Sequence, residues 1–396
     1  MNRKKRIILT LSLSLLIFIS ICLSVGLIRQ RQKNTNEVYM ENTKTNNNSG
    51  MFAIMLETEA GSGVYEKSTT STWPGEGYVF NENLSSCENG GELSWNEELG
   101  AVNLKTNTSE RCYVYFDMKL PPTLAEYIIN NIYVEDGVNG LYYHDGEGTY
   151  TNADQEALDN SYRYSGANPN NYVCFGSDAS PCPSDNLYRI IGVFDDVGEY
   201  QVKLIKAVMY EFLAWNSELN NEWNPESNIY PDMKNYLNID YYNTLNRKWQ
   251  DLINFHEWNV GGLEYEYAFR GLVKTSYNYE ISNSNNKVID IMKIGLMYVS
   301  DYGYAVNPDY WIESLNDYGM NSDNWLYMDN TNGGWIWTIS RNSDNNSEVF
   351  YIINGRIGND NTPITSGKKI YPCFYLNSDV TYVSGDGSQE NPFRIE

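Results

Sequence analysis

Histidine is scarce in this sequence, and positive charge is scarce beyond the first 36 residues. Only two histidines occur, and from Glu37 onward 21 basic residues face 51 acidic ones. So acidic a chain repels phosphate backbones and anionic membrane surfaces, which argues against nucleic acid as a partner. No pattern links His144 or His256 to a serine or cysteine, so a Ser-His-Asp or Cys-His catalytic site is not predicted.

Phosphate-binding and zinc-binding motifs are also missing. Neither G-x-x-x-x-G-K-[ST] nor a strand-linked G-x-G-x-x-G occurs, and no cysteine spacing is C-x-x-C. The many acids offer too many pairs to single out two glycosidase carboxylates. We therefore predict no catalytic residues and no cofactor. Calcium is the metal that an exported, acidic and turn-rich chain suits best, with residues 145–154 and Asp344 as candidate ligands outside EF-hand spacing.

Charge is absent from residues 7–28, a run of 22 residues. A helix of this length, at ~1.5 Å per residue, crosses a hydrocarbon core of ~30 Å. We predict a cytoplasmic tail at residues 1–6, a transmembrane anchor at residues 7–28 and the rest of the chain outside the cell. The alternative is a signal peptide cleaved near Ser24-Val25-Gly26, which would make the protein secreted. Polar, Asn-rich residues 29–50 predict a flexible stalk.

The five cysteines beyond the apolar run form two sequence-local pairs and leave one over, while Cys22 lies within the predicted anchor. Cys87 and Cys112 lie 25 residues apart, and Cys174 and Cys182 close a short loop of turn residues. Outside the cytoplasm such pairs are typical of disulfides, so we predict both bridges. Cys373 stands alone in an apolar strand, where burial as a small hydrophobic residue is favoured over catalysis.

Turn residues and apolar runs divide residues 51–396, which are predicted to be exported, into three parts. Short apolar runs within residues 51–120 predict a small disulfide-bonded β domain. Residues 121–139 predict a linker helix, in which Thr123 and Glu126 form a capping box. Residues 140–396 predict a larger domain of antiparallel strands with an intervening helical region. One face of that helix carries apolar residues, namely Tyr242, Leu245, Trp249, Leu252 and Ile253.

Several motifs of the larger domain carry a family resemblance: N-L-Y-R-I-I-G-V-F, W-I-W-T-I-S-R and P-C-F-Y-L-N-S-D-V. Together they resemble a family of uncharacterised surface domains from Gram-positive gut bacteria, over roughly residues 140–396. That family is similar in layout to the C-type lectin-like fold of formylglycine-generating enzymes and phage receptor-binding proteins. The resemblance implies an α+β fold, with a C-type lectin-like C-terminal domain behind the small all-β domain and the N-terminal transmembrane helix. Oxidase relatives bind copper through two cysteines, whereas this region holds only Cys373.

The resemblance also implies an exposed binding segment between the tryptophan strand and the last core strand. Eight of the 32 residues from position 330 to position 361 are Asn, interspersed with Ser, Asp and Tyr, a composition that suits adaptable hydrogen bonding. An ordinary polar hairpin is the alternative. Trp335 and Trp337 are predicted to pack in the core. The predicted ligand-binding residues are Tyr302, Tyr304, Arg341, Asn342, Asp344, Asn345, Asn346, Tyr351, Arg356, Asn359, Asp360 and Asn361.

We predict a membrane-anchored extracellular protein that recognises a glycan or a protein without catalysis. One alternative is a glycan-processing or oxidase-like enzyme on the same fold, which predicts a concave pocket with converging carboxylates or a metal beside Cys373. The other is a structural component of the cell envelope or of a pilus-like assembly.

Overall fold

The computed structural model describes residues 50–132, 139–144, 159–223, 231–282, 287–319, 323–327, 335–363 and 367–396. The chain divides into two compact units, Met1–Leu120 and Pro121–Glu396. The predicted tail and anchor, and all but the last residue of the predicted stalk, lie outside the described residues. Within the described part, no helix is both long enough and apolar enough to cross a membrane.

The N-terminal unit is built from a four-stranded sheet and a hairpin. The strands are β1 (Gly50–Glu57), β2 (Tyr65–Lys67), β3 (Tyr78–Cys87), β4 (Glu92–Asn96), β5 (Ala101–Lys105) and β6 (Glu110–Met118). The sheet has the order β2-β1-β6-β3, in which β1 and β6 run parallel, and β4 pairs with β5 in the hairpin. Apolar side chains from the sheet and the hairpin form the core of this unit around Ile54, Val114 and Phe116.

Both predicted disulfides are confirmed. Cys87 and Cys112 occupy directly paired positions of β3 and β6, with an S–S distance of 2.04 Å. Cys174 and Cys182 are joined at 1.99 Å. Cys373 is a free, buried cysteine.

The C-terminal unit is built around two larger sheets. The strands are β7 (Gly140–His144), β8 (Ser161–Ser165), β9 (Tyr172–Cys174), β10 (Leu187–Asp196), β11 (Glu199–Lys206), β12 (Glu211–Leu213), β13 (His256–Asn259), β14 (Ile289–Met292), β15 (Ile294–Gly295), β16 (Ile336–Arg341), β17 (Glu348–Ile353), β18 (Arg356–Asn361), β19 (Lys368–Ile370), β20 (Cys373–Tyr375), β21 (Tyr382–Ser384) and β22 (Arg394–Ile395). One of the two sheets has the order β15-β20-β11-β10-β8-β7, with β9 also paired to β10, and the other has the order β12-β19-β16-β17-β18. Two further pairs of strands, β13-β14 and β21-β22, lie outside these sheets.

Helices of the C-terminal unit are short. The α-helices are α1 (Leu124–Asn131), α2 (Asp232–Asn235), α3 (Arg247–Asp251), α4 (Tyr265–Phe269), α5 (Val273–Tyr277) and α6 (Val299–Tyr304). Two π-helices (Tyr236–Tyr241 and Asn278–Ser282) and four 3₁₀-helices (Ser184–Asn186, Tyr242–Thr244, Pro308–Tyr310 and Leu315–Asp317) complete the described helical elements.

The predicted α+β fold class with a C-type lectin-like domain is wrong, while the predicted transmembrane helix at residues 7–28 lies outside the described residues. Strand outweighs helix in the described part of the chain, at 40% against 18%. The amphipathic helix predicted over residues 242–253 is one source of the error. Leu245 and Asn246 are extended there and divide the segment into a 3₁₀ turn and the five-residue α3, because tertiary packing overrides the local periodicity.

Helix α1 begins as the sequence predicts. The Thr123 side chain accepts a hydrogen bond from the Glu126 amide at 3.2 Å, and the Glu126 carboxylate accepts from the Thr123 amide at 2.9 Å. Leu124 and Ile128 are buried in the core of the C-terminal unit. The segment that the sequence assigns to a linker is therefore part of that core.

Candidate functional site

One face of the sheet β12-β19-β16-β17-β18 gathers aromatic and charged side chains. Tyr351 of β17 pairs with Trp337 of β16 on one side and with Gly358 of β18 on the other. Side chains alternate along a strand, so Asp360, two residues beyond Gly358, shares this face. Trp335 lies just before β16, and its carbonyl accepts a hydrogen bond from the Lys369 amide of β19 at 2.8 Å.

The two tryptophans of this strand have different environments. Trp337 is fully buried, as predicted, and its indole donates to the Leu213 carbonyl at 2.9 Å. Trp335 is 40% exposed, so the prediction that it packs in the core is wrong. Their ring centroids lie 6.4 Å (Trp335) and 6.0 Å (Trp337) from the Tyr351 ring. Trp335 thus presents an aromatic surface to solvent beside Tyr351.

The ammonium of Lys368 lies close to the rings of Tyr351, Trp337 and Trp335. Its side chain is fully buried, and its ammonium lies 4.0 Å from the Tyr351 ring centroid, 4.7 Å from that of Trp337 and 5.0 Å from that of Trp335. Nζ also donates to the Asp360 carboxylate at 2.9 Å. Burial lowers the pKa of Lys368, and the hydrogen bond and charge of Asp360 act against that shift.

We call Trp335, Tyr351, Asp360 and Lys368 the aromatic patch. A buried cation over aromatic faces is favourable, and here it fixes two rings and one carboxylate in a single arrangement. Gly358 packs directly against the Tyr351 ring, since a Cβ atom at that position would lie 2.6 Å from Cζ of Tyr351. A larger residue there would displace the Tyr351 ring.

The β16–β17 turn uses most of its polar side chains to hold its own shape. Asn342 is buried and accepts from the Asp344 amide at 3.0 Å, and Asn345 accepts from the Ser347 amide at 3.1 Å. Asn221 donates to the carbonyls of Asn342 and Asn345 at 3.0 and 2.7 Å. Turn geometry therefore accounts for much of the asparagine content that the sequence assigns to ligand binding.

Two predicted contact residues lie in the interior. All six residues of α6 are buried, Tyr302 and Tyr304 among them, so these two tyrosines do not lie on the exposed binding face that the sequence suggests. Their burial follows from packing, because the aromatic rings fill the core of the C-terminal unit.

The remaining predicted residues lie along β16, β17, β18 and the β16–β17 turn. Arg341 is partly buried and donates through Nε to the Gly261 carbonyl at 2.9 Å, and Asn359 donates to the Glu348 carboxylate at 2.5 Å. Asp344, Asn346, Arg356 and Asn361 are exposed. Arg356 begins β18, and the other three lie at the opposite end of the meander. The predicted set is therefore not one cluster.

Three residues of the site, Trp335, Lys368 and Gly358, were not among the predicted ligand-binding residues. Lys368 is 33 positions from Trp335 in the chain. What brings them together is the parallel register of β16 and β19, in which Ile336 pairs with Lys369. The available signal was a lysine within a short apolar strand, where a buried cation needs a partner.

The candidate metal ligands do not converge in the described residues. Asp344 is exposed and its carboxylate accepts from the Tyr265 amide at 3.0 Å, and residues 145–154 lie outside the described part. Across the described ranges, one group of three potential ligands comes together, formed by Cys87, Glu110 and Cys112. Its two cysteines are joined in a disulfide, which removes their thiolates as ligands.

Cys373 and His256 have environments that suppress their reactivity. Burial raises the pKa of the Cys373 thiol to about 12, so the sulfur stays protonated at neutral pH. Burial and the Lys203 charge lower the pKa of His256 to about 3, so this imidazole is neutral. His256 stacks on Tyr375 with ring centroids 3.7 Å apart and shares a hydrogen bond with Gln201 at 3.1 Å.

Comparison of the chain with protein-family models, with curated proteins and with solved structures finds no match. The family resemblance stays a prediction, and function is argued from the chemistry of the site.

Proposed function

We propose that this protein is an extracellular recognition protein that binds a carbohydrate, without catalysis, through the aromatic patch. The observation that carries the proposal is Trp335, which is 40% exposed and lies beside Tyr351, Asp360 and Lys368. An exposed tryptophan held in place by buried neighbours offers contact area at little cost in side-chain entropy.

The chemistry of the patch suits a sugar ring. The apolar C–H face of a sugar packs on an indole or phenol ring, and its hydroxyl groups donate to carboxylate oxygens. Asp360 already accepts from Lys368 at 2.9 Å and from the Asn361 amide at 2.8 Å. A carboxylate has about four acceptor positions, so capacity remains for ligand hydroxyls.

An extracellular location agrees with the two disulfides, one in each unit, because disulfides persist in an oxidising environment. The net charge of -23 disfavours polyanionic ligands and so favours a neutral glycan over a highly sulfated one.

A glycan array probed with the full chain tests the proposal. We expect binding to neutral glycans, and we expect Trp335→Ala and Tyr351→Ala each to weaken it about tenfold or more, as for central aromatic contacts in other interfaces. Tyr113→Ala is the matched control, since Tyr113 is likewise 40% exposed but lies on β6 of the N-terminal unit.

Two results would overturn the proposal. One is a folded chain that binds no glycan on the array. The other is a glycan that binds equally well to the wild type and to both patch variants. Asn346→Ala separates the patch from the neighbouring turn, because Asn346 is an exposed residue of that turn and should leave affinity unchanged.

A further inference from the structure

A cavity of about 440 Å³ opens in the C-terminal unit, separate from the aromatic patch. Its volume lies in the range of small-molecule sites. The residues that line it include Lys206, Tyr188, Tyr241, Met209 and Leu245, and its lining is more polar than apolar. The polar groups of such a cavity can orient a small ligand.

Lys206 is the charged group of this cavity. It is 6% exposed, and its ammonium donates to the Asp185 backbone carbonyl and lies 4.9 Å from the Tyr188 ring centroid. Among the described residues, no carboxylate oxygen comes within 4.0 Å of its Nζ, as none of the ion pairs includes Lys206. A buried cation without a paired anion is costly, and an anionic ligand would relieve that cost.

Tyr188 and Tyr241 add a hydrogen-bond donor. Both are buried at 1% exposure, and their hydroxyl groups form one short hydrogen bond with each other. That bond uses one of the two hydroxyl hydrogens. Within the described residues the second hydrogen has no other hydrogen-bond acceptor, so it is available to a group that enters the cavity.

We propose that this cavity binds a small organic anion with a carboxylate head and an apolar body. The carboxylate contacts the Lys206 ammonium and accepts the second hydroxyl hydrogen of the Tyr188–Tyr241 pair, and the apolar body packs against Met209 and Leu245. Charge-assisted hydrogen bonds from an ammonium and a hydroxyl to a carboxylate are strong in a partly desolvated cavity.

Asp185 limits which anions fit. It is exposed and lines the same cavity, and its charge raises the pKa of Lys206 against the larger lowering by burial, which leaves a pKa of about 8. A second negative charge on the ligand would meet Asp185 at close range. The site therefore favours singly charged anions over dianions.

Phenylacetate, with neutral phenylacetamide as its matched analogue, is the probe for the full chain. We expect calorimetric titration at pH 6.5 to show binding of phenylacetate and at least tenfold weaker binding of phenylacetamide. Lys206→Met should weaken phenylacetate at least tenfold, and Asp185→Asn should strengthen it, because the first removes the attractive charge and the second removes the repulsive one.

A pH titration of the unmodified chain tests the same idea without a variant. Besides Lys206, the titratable groups that line the cavity are Asp185 and the tyrosines 188, 210 and 241. Burial raises the pKa of Tyr188 and Tyr241, so both stay protonated through this range. Phenylacetate affinity should therefore fall about tenfold or more between pH 6.5 and pH 9.5, as Lys206 loses its proton.

Three results would overturn the inference. Phenylacetate and phenylacetamide binding equally, or neither binding at millimolar concentration, would show that the cavity does not select an anion. Affinity that is constant up to pH 9.5 would exclude Lys206 as the cationic contact. Weaker phenylacetate binding by Asp185→Asn would contradict the repulsion between Asp185 and the bound anion, on which the preference for singly charged anions depends.

Discussion

Asp301 is the charge on which the interior of the C-terminal unit depends. Its carboxylate contacts Arg163 at 3.2 Å and Lys203 at 2.6 Å, and it accepts from the Tyr298 amide at 2.9 Å. All three ionic side chains are buried, and they join α6 to β8 and β11. Buried charges are tolerated only when paired and hydrogen-bonded, and this network meets both conditions.

Lys203 also faces aromatic rings. Its ammonium lies 4.5 Å from the Tyr298 ring centroid, 5.1 Å from that of Trp258 and 5.2 Å from that of Tyr375. Burial is the largest single influence on the pKa of Lys203 and acts to lower it. The Asp301 charge and hydrogen bond, together with Cys373 and Tyr298, act in the opposite direction and outweigh burial in sum, so the pKa is raised. The lysine therefore stays charged, and the network is structural in this fold.

Replacing Asp301 with alanine tests that role. We expect Asp301→Ala to lower the free energy of unfolding of the C-terminal unit by about 3–5 kcal/mol, because two buried cations lose their shared anion. Denaturant unfolding measures the loss. Asp251→Ala is the control: Asp251 is 57% exposed and pairs with Arg247, so its loss should cost under ~1 kcal/mol. Equal effects of the two substitutions would contradict the structural role.

At the scale of elements, the antiparallel meander β16-β17-β18 positions the aromatic patch. Its register places Tyr351 opposite Gly358 and Val349 opposite Asp360. The missing side chain of Gly358 lets the Tyr351 ring lie across the neighbouring strand, an arrangement known to stabilise glycines in sheets. Strand β19, the neighbour of β16, contributes Lys368, whose ammonium lies 4.0 Å from the Tyr351 ring centroid.

Substitution in β18 tests whether this packing shapes the patch. Gly358→Ala places a Cβ atom 2.6 Å from the Tyr351 ring, so the ring must move. We expect glycan affinity to fall several-fold and the free energy of unfolding to fall by about 1–3 kcal/mol. Gly75→Ala is the control, because a Cβ atom there meets nothing within 4 Å. Unchanged near-ultraviolet circular dichroism and unchanged affinity in Gly358→Ala would count against the packing.

Local signals in the sequence predicted local structure. The capping box at Thr123 and Glu126 and both cysteine pairs were correct, because each depends on residues close in the chain. Burial of Trp337 was also correct. The exposure of Trp335 was not predictable by alternation, since it depends on where β16 begins relative to its neighbours.

Long-range contacts explain what sequence analysis could not predict. Lys203 reads as one residue of the strand V-K-L-I-K, and its partner Asp301 lies 98 positions further along the chain. Tyr302 and Tyr304 follow Asp301 in a turn-rich, aromatic segment that suggests an exposed loop, yet the ion network and the aromatic core draw that segment inside. No local pattern encodes either fact.

The whole molecule has two units, each with its own hydrophobic core and its own disulfide. The core of the N-terminal unit is small, formed around Ile54, Val114 and Phe116, and Cys112 lies within it. A described span of about 70 residues buries a limited apolar area, so a covalent link contributes a large share of its stability. The C-terminal unit has a far larger core and depends less on its bridge.

Removing each disulfide in turn tests this division. We expect Cys87→Ala with Cys112→Ala to lower the stability of the N-terminal unit by about 3 kcal/mol, as chain-entropy models give for a loop of this length. Amide hydrogen exchange should then increase in peptides from β3 and β6 and stay unchanged in β10 and β11. Cys174→Ala with Cys182→Ala is the reciprocal control: it opens a shorter loop, so it should affect β9 and β10 more weakly and leave β6 protected. If either double substitution reduced protection in both units, the stabilities of the units would be coupled. The Cys87–Cys112 disulfide would then not stabilise the N-terminal unit independently.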